Sequence, residues 1–272
     1  MVNSAEGITV GYWTIRGLGA PLRAMVMYAG VPLNNVMYDT KELSDGTLDR
    51  SAWSIAKPAL KAKCPLINLP YIIDGDRIVS QSNACLSYLG RRLNLWGKTP
   101  DEVSDCEMLL CELIDLRNSM TGFAYGTPKP LQKEAATKFL DGVQSGTGIF
   151  QKLELWLEQK ASRESVDAPG CFLVGNSATA PDFHLHEMLV QYSALAAYNS
   201  LPFLEGYPRL VRFKNEFEAL PNMQKYLNTP FGTSTPQKLP FNQKSACFGA
   251  SPCGASWIPG TCYEYESYSG KY

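Results

Sequence analysis

The chain has 272 residues, enough for one large or two modest domains. Its 25 Lys and Arg against 26 Asp and Glu leave a net charge of −1, without the basic excess that holds a nucleic-acid backbone. At 45% hydrophobic and 19% charged it is too apolar for a disordered chain, and it is long enough to bury roughly 70% or more of its unfolded surface. The eight cysteines fall far below a disulfide-scaffold composition and contain no C-x-x-C pair. No apolar run reaches the ~18 residues of a membrane span, and MVNSAEGITV lacks the order of a secretory signal. The expectation is a cytoplasmic protein with reduced thiols that engages neither membrane nor nucleic acid.

ITVGYW at 8–13 reads as a short buried strand. APLRAMVMYAG follows as a helix, with Pro21 in the first turn, Leu22, Met25, Val26 and Ala29 at helical spacing, and Gly30 as the stop. NNVMYD at 34–39 gives a second strand, so the first unit is a parallel βαβ. Residues 40–63 show no sustained period and read as a long loop holding a short helix near Trp53. NLPYIIDGDRIVSQS is a hairpin around Asp74-Gly75, and Ser82 is the expected cap of the next helix, 82–93.

After LWGKTP the pattern changes. Val103, Cys106, Leu110 and Leu113 form a helical stripe, and 131–160 is helical with a break among Gly142, Gly146 and Gly148. Thr179-Ala-Pro-Asp182 has the form of a helix start before FHLHEMLVQY, and 208–219 and 222–228 give further helices. The expected fold is an α/β N-terminal thioredoxin-like domain (1–94), a linker (95–100), an all-α helical domain (101–228) and an irregular tail (229–272).

GYWTIRGLGAPLR at 11–23, DRSAW…K at 49–57, NLPYIIDG at 68–75 and QSNACLSYLGRRLNLWGKT at 81–99 resemble a cytosolic glutathione S-transferase, most closely the mu class. A weaker echo continues in TAPDF at 179–183 and YPRLVRFKNEFEALP at 207–221. On its own Tyr12 is a strand aromatic of the core. The resemblance makes it the donor of a hydrogen bond to the sulfur of glutathione. Such a bond favours the thiolate, and the thiolate is the nucleophile.

The same resemblance makes Trp13 and Leu18 part of the glutathione groove. It gives Pro70 a cis bond that offers the backbone of Leu69 to the cysteinyl part of the tripeptide, with Asn68 beside it. Gln81 and Ser82, otherwise an ordinary helix start, receive the γ-glutamyl carboxylate. Arg50, Trp53 and Lys57, otherwise a solvated polar face, clamp the glycyl carboxylate. Asp115, otherwise a surface carboxylate, reaches the γ-glutamyl ammonium bound by the other subunit, which implies a homodimer. Ile15, Leu18, Thr121 and Tyr125 line the site of a hydrophobic electrophile, and Tyr125 could also donate to that electrophile.

Two departures stand out. Leu66 occupies the place of the mu-class aromatic dimer key, and the eleven residues between Tyr38 and Arg50 make a loop about two longer than the class implies. His184 and His186 fall on different helix faces, HEMLV is not H-E-x-x-H, and no nucleotide-binding glycine motif occurs. No metal and no cofactor are expected, glutathione being a co-substrate. The function implied is glutathione conjugation of apolar electrophiles. A non-enzymatic ligand carrier or crystallin-like structural protein, and a glutathione-dependent isomerase or peroxidase, remain as alternatives.

Overall fold

The computed structural model describes residues 7–38, 41–42, 48–126, 132–163, 171–229 and 232. Two parallel strands come first, β1 (Ile8–Trp13) and β2 (Leu33–Tyr38), joined by helix α1 (Ala20–Tyr28). The α1 end shows why Gly30 is a stop. Gly30 adopts φ +71°, its N–H bonds Met27 O, and the Val31 N–H bonds Val26 O, the paired bonds of a Schellman motif. A hairpin of β5 (Tyr71–Asp74) and β6 (Arg77–Ser80) adds to β1, giving the sheet order β2-β1-β5-β6 with β5 antiparallel to β1. Asp74 pairs with Arg77, so the tight turn is Gly75-Asp76, one residue later than the sequence suggests.

Two further departures occur in this half. The 40–63 stretch is less irregular than its composition implies. It carries a small ladder of β3 (Lys41–Glu42) with β4 (Leu48–Asp49), then a full helix, α2 (Ser51–Lys63). Trp53, Ala56, Leu60 and Cys64 repeat at helical spacing and pack on Tyr38 and Tyr71, whereas Pro58 sits on the exposed face, where the helical bond it removes is lost next to water. Helix α3 (Ser82–Arg92) is capped by Gln81 rather than Ser82. The Gln81 carbonyl accepts the Cys85 N–H at 2.8 Å, which makes Ser82 the first helical residue.

From Leu95 on the chain is helical: α4 (Pro100–Gly126), α5 (Gln132–Gln144), α6 (Ile149–Arg163), α7 (Ala180–Asn199), α8 (Pro208–Ala219) and α9 (Pro221–Leu227). Residues 145–148, with Gly146 and Gly148, separate α5 from α6, whereas Gly142 lies within α5. The 95–100 segment is packed rather than a free tether: Leu95 and Trp96 are buried, Arg91 stacks over the Trp96 ring at 5.0 Å, and Leu95 O accepts the Ala180 N–H. One apolar core runs without a break from Ile8 and Val10 through α1 and α3 into α4, α7 and α8, and a smaller aromatic cluster lies under α2. No described helix is long and apolar enough to cross a membrane.

Helix α7 is the axis of the helical half. The Asp182 carboxylate accepts from the Thr179 N–H and hydroxyl, both at 2.7 Å, and from the Leu173 N–H at 2.8 Å. Burial nonetheless pushes its carboxyl up to about 6.

Candidate active site

The pleat of β1 sends its residues to two faces. Ile8 and Val10 enter the main core, and Tyr12 follows them on the same face, towards the helical half. Trp13 faces the other way and packs on the cluster of Tyr38, Trp53 and Tyr71. The Tyr12 ring lies against the turn into α1. A Cβ at Gly17 would come within 2.9 Å of the Tyr12 hydroxyl oxygen, and one at Gly19 within 2.7 Å of the ring. Only glycines let the backbone approach that closely. Among the described residues the Tyr12 hydroxyl has no hydrogen-bond partner.

Two buried arginines hold this turn, and sequence reasoning gave neither a role. Arg23 on α1 donates to Trp13 O at 3.1 Å, Ile15 O at 3.0 Å and Asn35 Oδ1 at 2.9 Å. Arg16 makes a forked pair with Glu187 of α7, at 3.1 and 2.6 Å, and its third bond goes to Gly232 O at 3.0 Å. Burial penalises the Arg16 charge, but the Glu187 carboxylate more than compensates and the pKa is raised. The signal in the sequence was an arginine in an otherwise apolar stretch, twice. It could not say which acceptor each would find.

The start of β5 meets this turn from the side. The Leu69–Pro70 peptide is cis. Gly11 stands opposite Tyr71 in the ladder, so Leu69 and Pro70 continue β5 beside Tyr12. Asn68 is fixed to the end of β6: its N–H donates to Ser80 Oγ at 2.9 Å, and that hydroxyl donates to Asn68 O at 3.1 Å. Gln81 follows directly, exposed, with φ +75°. A non-glycine residue in that region is strained, and such strain concentrates at ligand-binding positions. The N-terminus of α3 then presents Ser82 and its free N–H groups.

On the α2 side, Trp53 stacks on Tyr71 (6.1 Å between centroids, 23°) and meets Tyr38 edge-on at 5.0 Å. The Tyr38 and Tyr71 hydroxyls are 2.8 Å apart. The Lys57 ammonium lies 5.8 Å from the Trp53 ring centre, and Arg50 is exposed at the α2 cap. Neither cation has a carboxylate partner among the described residues.

Thus Tyr12, Trp13, Leu69, Pro70, Asn68, Gln81 and Ser82 lie at one end of the strands β1, β5 and β6, with Trp53, Lys57 and Arg50 on the neighbouring α2 side. Leu18 is buried and Ile15 half-buried in the turn after β1. Asp115 stands apart on the exposed face of α4, and Thr121 is half-buried on the same helix. The side chain of Tyr125 lies outside the described residues, as do 39–40, 43–47 and the tail apart from Thr229 and Gly232. Burial pushes the Cys85, Cys106 and Cys171 thiols up to about 12, 11 and 12, so these three supply no thiolate at neutral pH.

Comparison with known proteins gives the family of the chain that carries this cluster. Residues 8–91 match the model of the glutathione S-transferase N-terminal domain, and 114–230 that of the glutathione S-transferase C-terminal domain. The chain is 32% identical to glutathione S-transferase B of Cavia porcellus over 82% of its own length and 91% of that protein. It belongs to the glutathione S-transferase family. Two mu-class members are 31% identical: glutathione S-transferase Mu 6 of Mus musculus over 82% of this chain and 91% of its own, and the class-mu 26 kDa isozyme of Schistosoma mansoni over 88% and 94%. The crystal structure of the glutathione S-transferase Blo t 8 shares the fold, with a TM-score of 0.62 and 23% identity over 84% of this chain and 94% of that one. Glutathione conjugation is therefore the activity of this chain at family level, and the transferase carries it on a thioredoxin-like sheet with a helical second half.

Proposed function

We propose that this transferase binds glutathione along the cis-Pro segment that leads into β5 and conjugates its thiolate to apolar electrophiles, with Tyr12 as the thiolate's hydrogen-bond donor. The observation that carries the reading is the Tyr12 hydroxyl, held by Gly17 and Gly19 at the end of β1 and unpartnered among the described residues. A free thiol has a pKa of about 8.5, so only a few per cent is ionised at pH 7. A donor aimed at the sulfur favours the charged form, and each unit of lowering is worth about 1.4 kcal/mol. Tyr12 donates and keeps its proton. The thiol proton leaves to solvent, the sulfur pair forms a bond to an electron-poor carbon, and a halide departs with its bonding pair or an activated alkene accepts the electrons.

Residue roles follow the groove. Leu69 offers its backbone N–H and C=O to the cysteinyl unit, with Asn68 and Pro70 shaping the approach. Gln81 and Ser82 receive the γ-glutamyl carboxylate at the α3 N-terminus. Arg50, Lys57 and the Trp53 indole N–H hold the glycyl carboxylate, and Trp13 and Leu18 wall the groove. Ile15, Leu18, Thr121 and Tyr125 line the electrophile side. No metal and no cofactor take part in this scheme.

Asp115 acts across a two-fold axis on the glutathione of the neighbouring subunit. The exposed apolar side chains of Leu66 (78% exposed) and Met108 (53%) support a homodimer, because apolar groups of that exposure gain from being covered. The domain limits 1–94, 95–100 and 101–228 and a cytoplasmic setting complete the reading.

Conjugation of chlorodinitrobenzene by wild type and Tyr12→Phe across pH tests it. The expected result is a loss of roughly 10²–10³-fold at neutral pH, with the rate profile moved to higher pH. An unmoved profile overturns the role of Tyr12. Tight binding of apolar dyes without turnover would favour a carrier. Full activity in a sedimenting monomer overturns the shared site.

A further inference from the structure

Three half-buried residues form a stripe on α4 between its exposed and core faces: Ile114, Arg117 and Thr121, at i, i+3 and i+7. Thr121 Oγ1 donates to Arg117 O at 3.0 Å, so the two share one turn of the helix wall. The height of this stripe is fixed by bonds to other elements. Asn83 on α3, next to the Gln81-Ser82 end of the groove, donates to Leu110 O at 3.1 Å. Arg117 is seven residues further, about 10 Å of helical rise. At that level the Tyr192 hydroxyl of α7 holds Leu116 O at 2.8 Å. Five residues earlier on α7, Glu187 holds Arg16, which lies between Ile15 and Leu18 in the β1–α1 turn. The turn and the Arg117 level of α4 are therefore fastened to the same short stretch of α7.

Arg117 differs from the other arginines at this level. Arg16 has the Glu187 carboxylate, and Arg23 has three oxygen acceptors. Among the described residues the side-chain bond of Arg117 goes only to the neutral Asn118 amide, at 3.3 Å. Behind it lies His184, fully buried, with neither ring nitrogen partnered. Burial, and then the Arg117 charge, push His184 down to about 3, so it stays neutral and adds no second positive charge. Asp115 sits two positions away on the exposed face, a spacing that does not bring side chains together on a helix. A half-buried guanidinium with no anion is an unusual arrangement, since charges removed from water are normally paired.

We propose that Arg117 is an anion anchor in the electrophile site, and that the preferred electrophiles carry a carboxylate which pairs with its guanidinium while the thiolate attacks elsewhere on the molecule. This rests on the transferase reading above and adds the substrate class to it. Arg117 binds the co-substrate and takes no part in bond making. The planar fork of an arginine suits a carboxylate in two-point contact, which a lysine matches only as a point charge.

The test compares chlorodinitrobenzene with chlorodinitrobenzoate, which differ by one carboxylate, in wild type, Arg117→Gln and Arg117→Lys. The quantity read is the ratio of kcat/KM for the acid over the neutral compound, together with its KM and kcat parts. Arg117→Gln should lower this ratio about tenfold or more, chiefly through KM for the benzoate, and Arg117→Lys should recover part of it. Added salt should lower the wild-type ratio and leave the Gln variant's ratio little changed. A ratio that shifts less than about twofold in a folded Arg117→Gln protein, or the same loss in the Lys variant as in Gln, overturns the anchor. If wild type conjugates neither compound, the transferase reading itself fails, and this inference falls with it.

Discussion

Polar residues near the β1–α1 turn and polar residues along the β5 groove belong to the same chemical types, yet they are used in opposite ways. Around α7 most of them are buried and hydrogen-bonded, with the two ring nitrogens of His184 as the exception. Arg16, Glu187 and Gln191 form one network, Asp182 takes three donors, and the Glu154 carboxylate takes the N–H groups of Arg209 and Leu210 at 2.9 and 3.0 Å. Along the groove Arg50 is exposed and Lys57 half-buried, each without a carboxylate among the described residues, and Gln81 is held in a strained backbone region. The saturated groups brace the scaffold, and the cations along the groove are the ones that the proposed function gives to a ligand.

The largest effect should come from breaking the saturated network. Glu187→Gln leaves the Arg16 charge buried without its counter-charge and should cost roughly 3–5 kcal/mol in denaturant unfolding. The double change Arg16→Met with Glu187→Leu should recover most of that loss, because an apolar pair of similar size avoids the desolvation of both charges. If the single variant unfolds as readily as the double, the pair is not the brace described here.

On the unsaturated side, Tyr12→Phe should leave stability within about 1 kcal/mol of wild type while activity collapses, since the hydroxyl has no bond to lose among the described residues. Arg50→Ala should behave likewise, weakening glutathione binding by about 1.5–3 kcal/mol, read by calorimetry, with an unchanged melting temperature. A parallel loss of stability in either variant would erase the distinction between the two regions.

Glu218 offers a pH test of the saturated class. Burial would raise its carboxyl, but bonds from His186 Nε2 at 2.9 Å and Lys214 Nζ outweigh that and hold it down to about 2. Its folded pKa lies below its unfolded value, so its contribution is present above about pH 4.5 and lost as pH falls towards 2. Glu218→Gln should therefore flatten the acid limb of the stability profile by on the order of 3 kcal/mol or less. The smallest effect is expected at Gln81. Gly relieves the positive φ at an entropic cost, so Gln81→Gly should move stability by about 1 kcal/mol or less while glutathione affinity falls.

Much of this was legible before any coordinates. The β1–α1–β2 unit, the hairpin, the start of α7 at Thr179-Asp182 and the break between α5 and α6 all rest on local rules: periodicity, capping and glycine placement. The motifs around Tyr12, Pro70 and Gln81 were visible because each is a short run of sequence. What escaped depends on distant partners. Helix α2 hid behind polar residues and Pro58, since its stripe of Trp53, Ala56 and Leu60 gains only by packing on Tyr38 and Tyr71. Arg16 and Glu187 are 171 residues apart, and nothing local joins them. Arg117 escaped for the opposite reason: its significance is the partner it lacks among the described residues, and a sequence records no such vacancy.

The fork between Arg16 and Glu187 also bears on how the molecule can be divided. A fragment of the sheet half alone would carry a guanidinium whose counter-ion was left on the other fragment, and the helical half would carry the orphaned carboxylate. The shared core from Ile8 to Phe217 would be cut open along the same line. The two halves should therefore melt in a single cooperative transition, and neither should be recoverable as an autonomous folding unit. For this chain the boundary that separates chemical roles is not a boundary of thermodynamic independence.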